Sequence, residues 1–294
     1  LKRYIDSTGM KAGSDALKTR QRHHRGDELI NLYLERDFPG PGNLHQKVYL
    51  SQLLQAMAVG TGIKAHRAAK PYCMGSLFWQ LNDCWPGVSW SSVDYDGNPK
   101  ALHYQLKRVF KPIISVTQLN NDHIEVAVVN DSLTNEAATT LEVRVEVNDF
   151  EGKTVFTATR QVNPPRSENR KIRFMLPDSF PLNDTTESYF IKTQLFSGDI
   201  LRFTENVPLQ IPQRLVVNPA FISMRLEPSG NGYRINLSAD RYIFGLCLET
   251  IAKDGTFSNN YFNLEPGKSY QVEFIPEQPG MITEEDLIIY CLTK

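Results

Sequence analysis

Apolar residues recurring every three to four positions before residue 110, strict alternation after Pro112, and turn signals that cut the rest into short runs predict a multi-domain chain. A helical lead segment with one buried strand comes first, and two all-β, immunoglobulin-like sandwiches follow. At 294 residues with 41% hydrophobic side chains, the chain can bury more than one core.

In residues 45–58, Tyr49/Leu50, Leu53/Leu54 and Met57 form one apolar helical face, which Gly60 and Gly62 weaken toward His66. Residues 73–81, Cys-Met-Gly-Ser-Leu-Phe-Trp-Gln-Leu, form a short apolar and aromatic run after Pro71, which suits a strand buried on both faces. After a loop at 82–97, Asn98 as N-cap and Pro99 at the first helical position predict a helix over about 98–109. Helix, buried strand, long loop, helix is the rhythm of a βα repeat, whose functional loops follow the carboxyl ends of the strands. One repeat cannot close a barrel.

Past Pro112, Ile124, Val126 and Val128 alternate with Glu125 and Ala127, and Val143, Val145 and Val147 alternate with Arg144 and Glu146. This is the pattern of antiparallel strands with one buried face. Glu151-Gly152 and Ser197-Gly198-Asp199 separate further runs at 153–162, 170–176, 188–196 and 200–206, giving about seven strands in a hundred residues. Pro208, Pro212 and Pro219 mark a linker. A second, smaller sandwich then runs from about 216, through Arg234–Leu237 and Ile243–Ile251, to Leu287–Leu292.

The net charge of −1 provides no global field for nucleic acid or an anionic membrane. The balance hides 15 basic and 9 acidic residues over 1–110 against 17 and 24 beyond, +6 and −7. Lys18, Arg20, Arg22 and Arg25 are followed by Asp27, Glu28 and Glu35, which reads as a solvated helix face. Cys73, Cys84, Cys247 and Cys291 have no paired spacing for zinc or for a disulfide framework, and no run approaches the length of a membrane span. His23 and His24, adjacent in sequence, point to different parts of a helix surface, and there is no metal-binding HExxH arrangement. No metal or cofactor is expected. Gly60-Thr61-Gly62 lacks a preceding strand and the third glycine of a nucleotide loop, and Ser89 and Ser91 stand in no nucleophile elbow. Leu1-Lys2-Arg3-Tyr4 is neither an initiator methionine nor a signal-peptide start, so a piece of something longer is expected.

All three tryptophans fall in residues 79–94, Trp-Gln-Leu-Asn-Asp-Cys-Trp-Pro-Gly-Val-Ser-Trp-Ser-Ser-Val-Asp. Indole faces stack on the apolar face of a sugar ring while neighbouring amides and carboxylates bind its hydroxyls. The competing reading has the tryptophans packing a loop, with Asn82, Asp83 and Asp94 capping its turns. Asp83, Asp94 and Asp96 belong to one connection, and Asp96-Gly97-Asn98-Pro99 reads as a turn, which disfavours a local acid/base pair.

The string GSLFWQLNDCWPGVSWSSVDYDGNPKALHY resembles the last barrel strand and following helix of the β-mannosidases of glycoside hydrolase family 2. Residues 22–30, 52–67 and 258–267 are similar to that family's histidine-containing helix start, long helix and last sandwich domain. The resemblance implies the incomplete C-terminal part of a (β/α)8 barrel over 1–111, then immunoglobulin-like sandwiches over 112–215 and 216–294. It further implies a retaining exo-enzyme that removes terminal β-D-mannose with two glutamates. No segment matches the motifs that carry them, so no catalytic residue is expected here and the chain alone should be inactive. Trp79 matches a tryptophan of the family's sugar subsite wall, and Asn82, Asp83 and Trp85 are the loop positions assigned near it. The expected partners are terminal β-mannosides, bound by the complete enzyme, and the missing N-terminal part of the same polypeptide; nucleic acid and membrane are not. Two alternatives remain, a non-catalytic sandwich that binds carbohydrate or protein and a related exo-β-glycosidase such as a glucosaminidase. The compartment is open: periplasmic or secreted if bacterial, lysosomal if animal. The sequons at Asn130, Asn183 and Asn236 do not decide it.

Overall fold

A computed structural model describes the chain except for residues 1–3, 7, 8, 10, 12, 133–139, 179, 181–186, 252, 253, 293 and 294. Packing divides it into two units, Leu1–Val59 with Phe78–Leu106 and Pro219–Lys294, and Gly60–Leu77 with Lys107–Asn218.

Among the described residues the lead segment holds the helices α1 (Asp15–Lys18), α2 (Gly26–Asp37), α3 (Leu44–Ala68) and α4 (Ala101–Val109). The basic block is not one helix face, because α1 ends at Lys18 and Arg20 lies beyond it, partly buried. His23 and His24 also depart from expectation, stacking on each other with ring centroids 4.6 Å apart in the turn before α2. The Asn43 carboxamide accepts the Gln46 N–H at 2.9 Å and opens α3, which continues unbroken through Gly60 and Gly62. Tyr49, Leu53, Ala56, Gly60, Ile63 and Arg67 follow a four-three spacing along one buried stripe, with Leu50 buried beside it. Met57 is off that stripe and 37% exposed.

Residues 73–81 form no strand, which corrects the sequence expectation. The segment pairs with no strand among the described residues, and Tyr72, Met74, Leu77, Trp79 and Leu81 are exposed. A strand buried on both faces needs neighbours on both edges and layers above and below it. Helix α4 begins later than its sequence signals, at Ala101. The Asn98 side chain bonds to Asp94, and the Ala101 N–H donates instead to the Gln52 carboxamide at 3.1 Å.

The first sandwich comprises β1 (Ile113–Leu119), β2 (His123–Asn130), β3 (Leu141–Asp149), β4 (Thr154–Val162), β5 (Glu168–Met175), β6 (Tyr189–Ser197) and β7 (Ile200–Pro208). Its antiparallel sheets run β1-β2-β5 and β4-β3-β6-β7, with Val116 opposite Ala127 and Val145 between Ala158 and Thr193. Leu141, Val143, Val145 and Val147 alternate inward as read from sequence and meet Ile114, Ile124, Val126, Val128, Phe174 and Leu195. A buried hydroxyl pair, Thr117 and Thr193 at 2.8 Å, sits in this unit. Within the same unit the buried Arg67 donates to the carbonyls of Val109, Lys111 and Pro112 and to Asp131 at 2.9 Å, and Lys70 also reaches Asp131. One guanidinium thus satisfies carbonyls freed at the end of α4.

The second sandwich comprises β8 (Ile222–Ser229), β9 (Gly232–Ala239), β10 (Ile243–Thr250), β11 (Gly255–Phe257), β12 (Phe262–Leu264), β13 (Tyr270–Pro276) and β14 (Leu287–Tyr290). Its sheets run β11-β13-β9-β8 and β12-β10-β14 around Ile235, Leu237, Leu246, Leu248, Leu264, Val272 and Phe274. Against β12 the register of β10 slips between Ile243 and Leu246, where Gly245 has φ +67°. This is a bulge that places glycine in the left-handed region. The Gly245 N–H donates to Asn263 at 2.9 Å, and its carbonyl accepts the Tyr49 hydroxyl of α3 at 2.8 Å. Burial raises the Tyr49 phenol well above its usual range and pushes the Cys247 thiol up to about 12, so Cys247 packs as an inert side chain.

Candidate functional site

Residues 79–94 form a folded-back loop fixed at its two ends by backbone bonds. The Ser92 N–H donates to the Gln80 carbonyl at 3.0 Å, Val93 N–H to Leu81 at 2.9 Å, and Asp83 N–H to Val93 at 3.1 Å. The return is closed by Asp94, whose carboxylate accepts the N–H groups of Asp96 at 2.9 Å and Asn98 at 2.8 Å, with Gly97 at φ +90°. Asp94 and Asp96 therefore serve a turn, as their order in the sequence indicates. The Trp90 carbonyl accepts the Gln55 side chain of α3 at 2.7 Å, which ties the loop to that helix.

Asp83 is the interior anchor. It is 7% exposed and accepts the Ser89 hydroxyl, the Ser91 hydroxyl at 2.6 Å and the Lys100 ammonium at 2.9 Å, while Lys100 also donates to Ser91 at 2.6 Å. Burial alone would raise the Asp83 carboxyl, but the hydrogen bonds from Ser89, Ser91 and Lys100 outweigh it and hold the carboxyl below its usual value. Its acceptor sites are occupied within the loop, so the structure places it as a brace for its neighbours rather than an outward-facing group. Lys100 and the two serines are absent from the sequence-level assignment.

The other assigned residues face outward. Trp79 is 74% exposed, Asn82 is exposed, and Trp85 is 49% exposed with the guanidinium groups of Arg20 and Arg22 each 5.6 Å from its ring centroid. The Asn82 carbonyl accepts the Gln80 side chain at 2.9 Å, leaving its own amide at the surface with a 3.4 Å bond to the Asp83 carbonyl. The arrangement is a rigid loop presenting one indole face, one amide and a cation-bracketed second indole, which suits a neutral ligand with an apolar face and hydroxyl edges. Its carboxylates serve the loop's own structure, Asp83 inside it and Asp94 in the return turn, so it presents no acid/base pair of its own.

A family model described as an Ig-fold domain of mannosidases matches residues 216–290. The chain is 39% identical over 97 residues to Beta-mannosidase B of Aspergillus oryzae, a stretch that covers 31% of this chain and 12% of that protein. It is 34% identical over 139 residues to the Beta-mannosidase of Capra hircus, covering 43% of this chain and 16% of the relative. Among solved structures, the Beta-D-Mannosidase from Dictyoglomus thermophilum superposes on 99% of this chain and 35% of its own, with a TM-score of 0.81 at 24% identity. The Amycolatopsis orientalis exo-chitosanase covers 90% of this chain and 36% of its own, with a TM-score of 0.66 at 15% identity. At those identities the two structures speak for the fold. The matches span 12% and 16% of the two curated relatives.

Proposed function

We propose that this chain, a relative of the β-mannosidases of glycoside hydrolase family 2, is the carboxyl-terminal part of such an enzyme and supplies one wall of its sugar site. In this reading residues 1–111 complete a (β/α)8 barrel, the 73–81 stretch pairing as its last strand only where the rest of the polypeptide supplies its neighbours, and residues 112–215 and 216–294 are the accessory sandwiches. The substrate is a terminal β-D-mannose residue, and both glutamates of the retaining mechanism lie in the rest of the polypeptide. One glutamate forms the glycosyl-enzyme and the other delivers and removes the proton, with carboxyls about 5–5.5 Å apart.

The observation that carries this reading is the exposed Trp79, standing next to a loop whose interior is locked by Asp83 and Lys100. An exposed indole on a braced loop is preorganised to stack on a pyranose. Trp79 is the stacking platform, Asn82 and Trp85 flank it, and Asp83 holds the loop in register. The stretch 74–79, which pairs with no strand among the described residues, supports the barrel assignment, since an extended backbone there needs strand partners.

The test compares the whole polypeptide with this chain, using aryl β-mannoside and aryl β-glucosaminide. The whole enzyme hydrolyses the mannoside and this chain alone hydrolyses neither. Trp79→Ala in the whole enzyme lowers kcat/KM by up to about tenfold, the loss of one stacking contact. Unchanged efficiency in that variant removes Trp79 from the site, and preference for the glucosaminide moves the specificity within the family.

A further inference from the structure

We infer that Arg20 is a positioning residue for the sugar-site loop, acting through Trp85 and the backbone of residues 86–88; the inference rests on the glycosidase reading above. Arg20 lies outside the loop yet attaches to it in three ways. Its guanidinium donates to the Pro86 carbonyl at 2.8 Å and to the Tyr4 carbonyl at 2.8 Å. The same group lies 5.6 Å from the Trp85 ring centroid, as does that of Arg22. Its carbonyl accepts the Val88 N–H at 3.1 Å, and the Arg22 N–H returns a bond to the Val88 carbonyl at 3.4 Å, so Gln21 and Val88 form an isolated parallel bridge.

Gly87 makes that approach possible. A Cβ there would come within 2.5 Å of the Arg20 carbonyl oxygen, a contact between two backbones that no side-chain rotation relieves. The Asp83 brace fixes the inner end of the loop, and the Arg20 strap fixes the outer end that carries Trp85. Planar, multiply donating and always charged, an arginine can hold a carbonyl and lie over an indole at once; a lysine can do one of the two.

Two experiments test this. In the 294-residue chain carrying Trp79→Phe and Trp90→Phe, Trp85 is the sole indole, and its quenching by neutral acrylamide reads its exposure directly. Arg20→Met raises the quenching constant, Arg20→Lys raises it less, and Gly87→Ala gives the same change from the opposite partner. In the whole enzyme, Arg20→Met raises KM for aryl β-mannoside about fivefold, the size of one lost cation–π contact, with kcat kept within about twofold. Combined with Trp85→Phe it adds less than the sum of the single effects, because both act on one contact. Unchanged quenching in both Arg20→Met and Gly87→Ala overturns the strap, and changed quenching with unchanged KM overturns its role toward substrate. A whole enzyme without glycosidase activity overturns the underlying function, a result distinct from either.

Discussion

Lys100 and Asp83 meet across seventeen positions of sequence, nearly buried at 15% and 5% side-chain exposure, and Ser91 lies between them. Removing one partner leaves the other charge stranded, which costs more than the pair contributes. Asp83→Ala therefore destabilises the loop by about 2 kcal/mol, read as a lower onset temperature for the tryptophan fluorescence transition. The same pair sets a pH dependence. A carboxyl held below its unfolded value of about 3.9 contributes stability that is present above that pH and fades as pH falls through the lower folded value. The fluorescence signal of the loop should be flat from pH 7 to about 4 and change below it, and in Asp83→Ala that acid limb should be missing. Sequence reading reached Trp79, Asn82, Asp83 and Trp85 because indoles and amides clustered in one string announce themselves. It could not reach Lys100 or Arg20, since a lysine beside a helix start and an arginine in a charge cluster look solvated until the fold supplies their partners.

Gly245 is the element-scale counterpart, a single bulge that lets β10 receive α3. A Cβ there would meet Leu53 Cδ1 at 2.8 Å and the Tyr49 hydroxyl at 3.0 Å, on a backbone at φ +67° that disfavours side chains. Gly245→Ala should cost about 2–4 kcal/mol, and Tyr49→Phe, which removes one hydrogen bond without crowding, about 1 kcal/mol, both measured by urea unfolding followed through the midpoint. Strands β2, β3, β4, β5, β6, β7, β9, β10 and β14 were legible from alternation or from apolar runs between turns. Strand β1 was passed over because the alternation of Ile114 and Val116 with Ser115 and Thr117 lasts only four residues, and the structure buries all four. Strands β11 and β12, with three residues each, are shorter than any pattern can register. The strand expected at 73–81 failed for a different reason: its apolar composition describes an environment, and among the described residues no strand pairs with it to supply one.

At the scale of the whole molecule, that unmet environment leaves Tyr72, Met74 and Leu77 exposed along a stretch that pairs with no strand among the described residues. Such a row is a site of association. The isolated chain should bind a hydrophobic dye and sediment as concentration-dependent oligomers, and Leu77→Lys should suppress both while leaving the thermal midpoint unchanged, as Leu77 is fully exposed. The sandwiches, by contrast, were legible as wholes, since alternation and turn spacing are local and their cores close within each unit.

Asn130 has one more consequence. It heads the triplet Asn130-Asp131-Ser132, yet it is 1% exposed, its amide donates to the Pro164 carbonyl at 3.2 Å and its oxygen accepts the Ser132 N–H at 3.0 Å. An oligosaccharide on that nitrogen has no room in the closed sandwich. In a host that attaches glycans as the chain emerges, the order of two events would decide the fate of each molecule: those folding before the transferase arrives keep a clean strand end, and those reached first cannot close around it. Yield from such a host should therefore rise when Ser132 is replaced by alanine, which erases the acceptor triplet and leaves the backbone bond to Asn130 in place.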